Sequence, residues 1–116
     1  MSIERKHTNQ RMSQLVIHND TVYLAGQVAK NAAGASVTEQ TKDILASIDS
    51  LLAEAGTDKS KLLSVTIWLA SIGDFDEMNS VWDAWISPGN APARACVEAR
   101  LASSKFTVEI GVIAAR

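Results

Sequence analysis

Hydrophobic positions along this chain switch between two periods, and the switches divide it into elements. Leu15, Val16 and Ile17, then Val22, Tyr23 and Leu24, flank Asn19-Asp20, which predicts two short strands joined by a tight turn. Ala25-Gly26-Gln27 follows, where glycine permits a bend or a close approach of the backbone to a ligand. Residues 30–36, rich in Asn, Gly and small side chains, read as loop. From there the period lengthens. Ile44, Leu45, Ile48, Leu51, Leu52 and Ala55 recur at helical spacing, predicting a helix over about residues 38–55 with Gly56 as its stop. Residues 62–70 carry apolar side chains on both faces, as a central or doubly covered strand does. Asp74 and Glu77 have the spacing of a capping box, opening a second helix through about residue 86 with Phe75, Met78, Trp82 and Trp85 on its apolar face. Ser87-Pro88-Gly89-Asn90 ends that helix, and strands over about residues 93–101 and 106–114 close the chain.

This order predicts an α+β fold, a mixed β-sheet with two helices on one face, in a single domain over residues 1–116. The strands near Leu62 and Phe106 are hydrophobic on both faces, more than two helices can cover, so the second sheet face is expected to be buried in an oligomer. Composition narrows the partners. The net charge of −2 and the absence of a basic run interleaved with aromatics argue against nucleic acid. No apolar stretch is long enough for a membrane span, and the first residues lack the apolar core of a secretory leader, so a cytoplasmic protein is expected. A single cysteine excludes an internal disulfide and a Cys-based zinc cluster, and His7 and His18 lack metal-ligand spacing, so no metal is expected. Neither phosphate-binding glycine pattern occurs.

Two charges stand out against the apolar C-terminal third. Arg94 sits in the run Ala91-Pro92-Ala93-Arg94-Ala95-Cys96-Val97-Glu98, and Glu109 sits in the β-branched run Val108-Glu109-Ile110. Hydrophobic strands carry such charges when a partner, a ligand or solvent meets that face. Arg grips a carboxylate in planar, bidentate fashion, and Glu positions or deprotonates water. Together they suggest a site for a small anionic substrate. The strand offers another explanation: Arg94, Cys96, Glu98 and Arg100 alternate onto one face, where Arg94 or Arg100 would pair with Glu98 as ordinary surface charges do. Cys96 reads as a wall or backbone contact rather than a nucleophile. The three tryptophans read as core or interface.

At these residues the chain resembles the reactive intermediate deaminase family, also called RidA or YjgF-like, whose signature is Pro-Ala-Arg-x-Cys-Val followed by an aliphatic residue, Glu and Ile. Here it stands as Pro92-Ala93-Arg94-Ala95-Cys96-Val97 and Val108-Glu109-Ile110, with Val22 through Val28 similar to the early strand and glycine turn. Met78-Asn79 and Trp82-Asp83-Ala84-Trp85 are similar to the second helix of the YoaB-like branch. The resemblance implies a chorismate-mutase-like fold assembled as a homotrimer with sites in clefts between subunits. It implies hydrolysis of 2-imino acids and their enamine tautomers to 2-keto acids and ammonia, with no cofactor. It implies that Arg94 clamps the substrate carboxylate, that Cys96 offers main-chain contacts, that Asn79 and Gly26 line the cleft, and that Glu109 handles water or a proton. Two departures stand beside the match. Residues 10–14 lack the archetype's tyrosine, and Ala25 stands where it has serine. A trimer that holds a small carboxylate without turnover is the competing expectation, and a ribonuclease role is disfavoured by the acidic balance.

Overall fold

In the computed structural model, which describes residues 2–116, one mixed sheet carries both helices on a single face. Its strands are β1 (Ile3–Thr8), β2 (Ser13–His18), β3 (Thr21–Leu24), β4 (Gln27–Val28), β5 (Leu62–Leu69), β6 (Ala93–Glu98) and β7 (Val108–Ala115). The order across the sheet is β1-β2-β3-β7-β5-β6, with β4 also pairing β7. Every pairing is antiparallel except β5 with β6, which run parallel because α2 (Phe75–Trp85) lies between them in the chain. The other helix is α1 (Val37–Glu54).

The two-residue period decides what faces the helices. Val108, Ile110, Val112 and Ala114 of β7 and Val65, Ile67 and Leu69 of β5 are buried beneath Ile44, Leu45, Ile48 and Leu52 of α1 and Met78 and Trp82 of α2. The intervening residues, among them Trp68, Glu109 and Ile113, point to the other face, where no element among the described residues covers them. Tyr23 and Val97 lie there too, opposite Ile113 and Trp68, and are exposed. Buried Gln40 ties α1 to two loops: its Nε2 donates to the carbonyls of Ala35 and Lys105 at 3.0 and 2.9 Å, and its Oε1 accepts from Thr107 N–H at 2.9 Å.

Three features differ from the sequence reading. Strand β1, polar and largely exposed, gives no alternating signal and is held by backbone pairing to β2 at the sheet edge. The last two strands are shifted, β6 ending at Glu98 because residues 99–107 leave the sheet. Most instructive is the expected capping box at Asp74 and Glu77. Asp74 makes no side-chain cap, a 3₁₀ turn over Ile72–Asp74 leads into α2, and Glu77 reaches away from its own helix. Its Oε2 accepts from the backbone N–H and the hydroxyl of Thr38, at 2.9 and 2.8 Å, so Glu77 caps the first turn of α1 from α2. Ser36 supplies the local cap, accepting from Glu39 N–H at 3.1 Å.

Glu77→Ala is therefore expected to lower stability by about 1 kcal/mol, the usual worth of an N-terminal cap, whereas Asp74→Ala leaves it nearly unchanged. Urea unfolding of the two variants side by side checks the assignment.

Candidate functional site

The side chains singled out in the sequence separate into two groups, one on each face of the sheet. Arg94 lies on the edge strand β6 in register with Val65, and so turns toward the helices. There its Nη1 donates to Asn79 Oδ1 at 2.8 Å, and its guanidinium carbon lies 5.1 Å from the Trp82 ring centroid and 5.9 Å from that of Phe75. Asn79 is placed for this by α2, one residue after the buried Met78 and three before the buried Trp82. The ion-pair explanation does not hold. Neither Arg94 nor Arg100 pairs with a carboxylate among the described residues, and Glu98 Oε1 instead accepts from Ile72 N–H at 3.0 Å. Arg94 thus presents a half-buried cation whose charge no side chain among the described residues neutralises, held by one neutral hydrogen bond and two ring faces. Such a group suits a planar anion supplied from outside.

Cys96 shares that face, two residues along and opposite Ile67. Burial pushes its thiol above the ordinary cysteine value, and the nearby positive charge of Arg94 works in the opposite direction. This favours the inert thiol over the thiolate, in keeping with a wall rather than a nucleophile.

Glu109 belongs to the second group. It lies between Val108 and Ile110, both fully buried, and its side chain emerges on the uncovered face directly across from Trp68 of β5 and Val28 of β4. Gly26 lies beside it because of a β-bulge. Tyr23 pairs with Ile113 and Gln27 with Ile110, so four steps along one strand match three along the other, and Ala25 and Gly26 together oppose Gly111. The bulge brings the backbone of Gly26 under the Glu109 carboxylate, and a Cβ built on Gly26 would fall on Glu109 Oε2. Gly26 is needed for space rather than for its torsion, since it is not among the positive-φ glycines. Glu109 has no hydrogen-bond or ion-pair partner among the described residues.

Asn79 and Cys96 are therefore grouped with Arg94, and Gly26 with Glu109, while Arg94 and Glu109 are kept apart by the sheet itself. A groove of about 530 Å³ beside α1, bordered by His7, Gln27, Asp43 and Glu54, contains none of the five. Sequence reasoning placed Phe75 and Trp82 on the apolar face of the second helix and missed that both flank the guanidinium. Their spacing of seven residues on one helix face, with Asn79 between, was the available signal.

Two outcomes follow from this geometry. Alkylation of Cys96 is expected to show a pH midpoint above that of a free thiol, and Arg94→Met is expected to raise it further by removing the charge that opposes burial; iodoacetamide rates against pH measure both. Gly26→Ala is expected to swing the Glu109 carboxylate off the bulge while costing no more than about 1–2 kcal/mol of stability, which a crystal structure and a melting curve together would reveal.

Comparison with known proteins places this geometry. The family model described as Endoribonuclease L-PSP matches residues 3–116. The chain is 45% identical over 115 residues to the RutC family protein YoaB of Escherichia coli, covering 99% of both. It is 30% identical over 107 residues to a rat protein named 2-iminobutanoate/2-iminopropanoate deaminase, covering 88% of this chain and 77% of that one. The crystal structure of a YjgF-family member from Neisseria meningitidis superposes with a TM-score of 0.96 at 46% identity, covering 100% of this chain and 96% of the other. Matches that run the length of the chain, in sequence and in structure, leave one assignment: this chain belongs to the RidA/YjgF family, in its YoaB-like branch.

Proposed function

We propose that this protein is a cofactor-independent hydrolase of small 2-imino acids, acting in clefts between the subunits of a homotrimer. The observation that carries the reading is the pair of unmatched charges: a guanidinium framed by Asn79, Trp82 and Phe75 without an acid, and a carboxylate over Gly26 without a donor. Because the sheet separates them, one site can use both only when Arg94 of one subunit meets Glu109 of another. The uncovered sheet face, with Tyr23, Trp68, Val97 and Ile113 on it, supplies apolar surface for such an assembly. The name of the rat relative, a 2-iminobutanoate/2-iminopropanoate deaminase, supports the substrate class.

The chemistry needs little from the protein. Protonated on nitrogen, the C2 carbon of a 2-imino acid is already electrophilic. Arg94 holds the carboxylate in a bidentate grip and fixes C2 in place. Glu109 accepts a proton as water forms its C–O bond to C2, giving a carbinolamine. Glu109 returns that proton to the amine nitrogen and, a carboxylate again, takes the hydroxyl proton as the C–N bond breaks, so that ammonia and a 2-keto acid leave. The main chain at Cys96 and Gly26 lines the cleft on either side.

Imine generated in situ by an amino-acid oxidase, followed by competition with semicarbazide, tests the reading. The wild-type protein is expected to accelerate imine loss, and Arg94→Ala to lower kcat/KM at least about 100-fold with the oligomer intact by size-exclusion chromatography. No acceleration for any of several imines, with 2-keto acids still bound, would make it a carboxylate-binding protein instead.

A further inference from the structure

On the uncovered face of the sheet, Trp68 stands in register between Val97 of β6 and Glu109 of β7. Residues opposed in this way across neighbouring strands have Cβ atoms roughly 4.5–5.5 Å apart, so the indole is an immediate neighbour of the carboxylate. Its direction is set by Gly111. The Cζ3 and Cη2 atoms at the far end of the ring lie 3.4 Å from where a Gly111 Cβ would stand, and Gly26 Cα lies 3.9 Å from the same point. The tip of the indole therefore extends along the sheet toward Gly26, under the Glu109 carboxylate. Two glycines let both side chains lie close over the backbone, the indole tip above Gly111 and the Glu109 carboxylate above Gly26, so the ring and the acid flank one patch. The indole makes no hydrogen bond among the described residues, whereas the indole of Trp85 donates to Asp49 at 2.9 Å. Trp68 is also only partly buried, unlike Trp82.

Resting on the reading of this site as a 2-imino acid hydrolase, we propose that Trp68 is its specificity-determining residue, the wall that limits the substrate side chain beside Glu109 to short aliphatic groups. With C2 held near the carboxylate, the side chain of the imine that turns toward β5 meets the ring. A methyl or ethyl group stops short of it, and an isobutyl or benzyl group collides. Rejecting a side chain that is too large by a rigid ring is a steric matter, and discrimination of about 10–200-fold is the usual scale for one misfitted apolar group.

The test compares kcat/KM for the imines of alanine, leucine and phenylalanine in wild type, Trp68→Phe and Trp68→Ala. The ratio of large to small substrate is expected to rise at least about 10-fold in Trp68→Ala and by less in Trp68→Phe. A ratio that stays constant while both rates fall together overturns the proposal and leaves Trp68 a packing residue. Should Trp68→Ala lose its oligomer, the ratio in Trp68→Phe decides, since that change removes only the outer part of the ring. Should wild type hydrolyse no imine, the reading of the site as a hydrolase fails, and the wall is judged by binding alone. Pyruvate bound in preference to phenylpyruvate by wild type, with the preference reduced in Trp68→Phe, sustains it, and no preference or no binding overturns it.

Discussion

Alternation along β7 is the constraint on which the rest of the structure depends. Val108, Ile110, Val112 and Ala114 are buried to within 1% exposure, which commits this strand's odd-numbered neighbours to the opposite face. No single substitution undoes that commitment, because sliding the strand by one residue would expose four core side chains at once. Glu109 is on the uncovered face for this reason and no other. Arg94, in register with buried Val65, is on the helix face for the same reason. The separation of the two charges thus follows from how the core is packed.

The helix layer has a matching part in the arrangement. α2 contributes Met78 and Trp82 to the core, and Asn79 between them accepts the hydrogen bond of the arginine. Two residues before Asn79, Glu77 ties the same helix to the first turn of α1. The guanidinium is therefore referenced to both helices and to the sheet edge, and its direction is set by the protein itself. Preorganisation of this kind lowers the entropy lost on binding.

Much of this was legible in the sequence where periodicity and core burial coincide. The α1 face from Ile44 to Leu52, the β5 strand and the α+β class all rest on apolar positions that the structure buries. What escaped reading rests on other physics. Strand β1 is polar and is held by backbone bonds that leave no trace in side-chain hydrophobicity. Glu77 has the spacing of a local cap, yet its partner is 39 residues away, and local spacing carries no information about that. The candidate residues were legible as residue types, since a charge in an apolar strand is conspicuous in a string of letters. Their division between two faces was not, because it depends on the registers of β5 with β6 and of β5 with β7. The guanidinium's aromatic frame was half legible, as Phe75, Asn79 and Trp82 share one helix face.

The bulge at Ala25-Gly26 separates what folding requires from what the site requires. Leu24 and Gln27 both face the helices with two residues between them, where an unbroken strand would have one. A chain shortened by a single residue at this point would have a regular strand, every core side chain still inward, and a better ladder. It would lose the place where backbone passes beneath Glu109, and with it the bonds at Ala25, whose N–H donates to the Gln14 carbonyl and whose carbonyl accepts from Gln27 Nε2, both at 3.0 Å. One extra residue thus trades regularity of the ladder for a recess of bare backbone on which a carboxylate can rest.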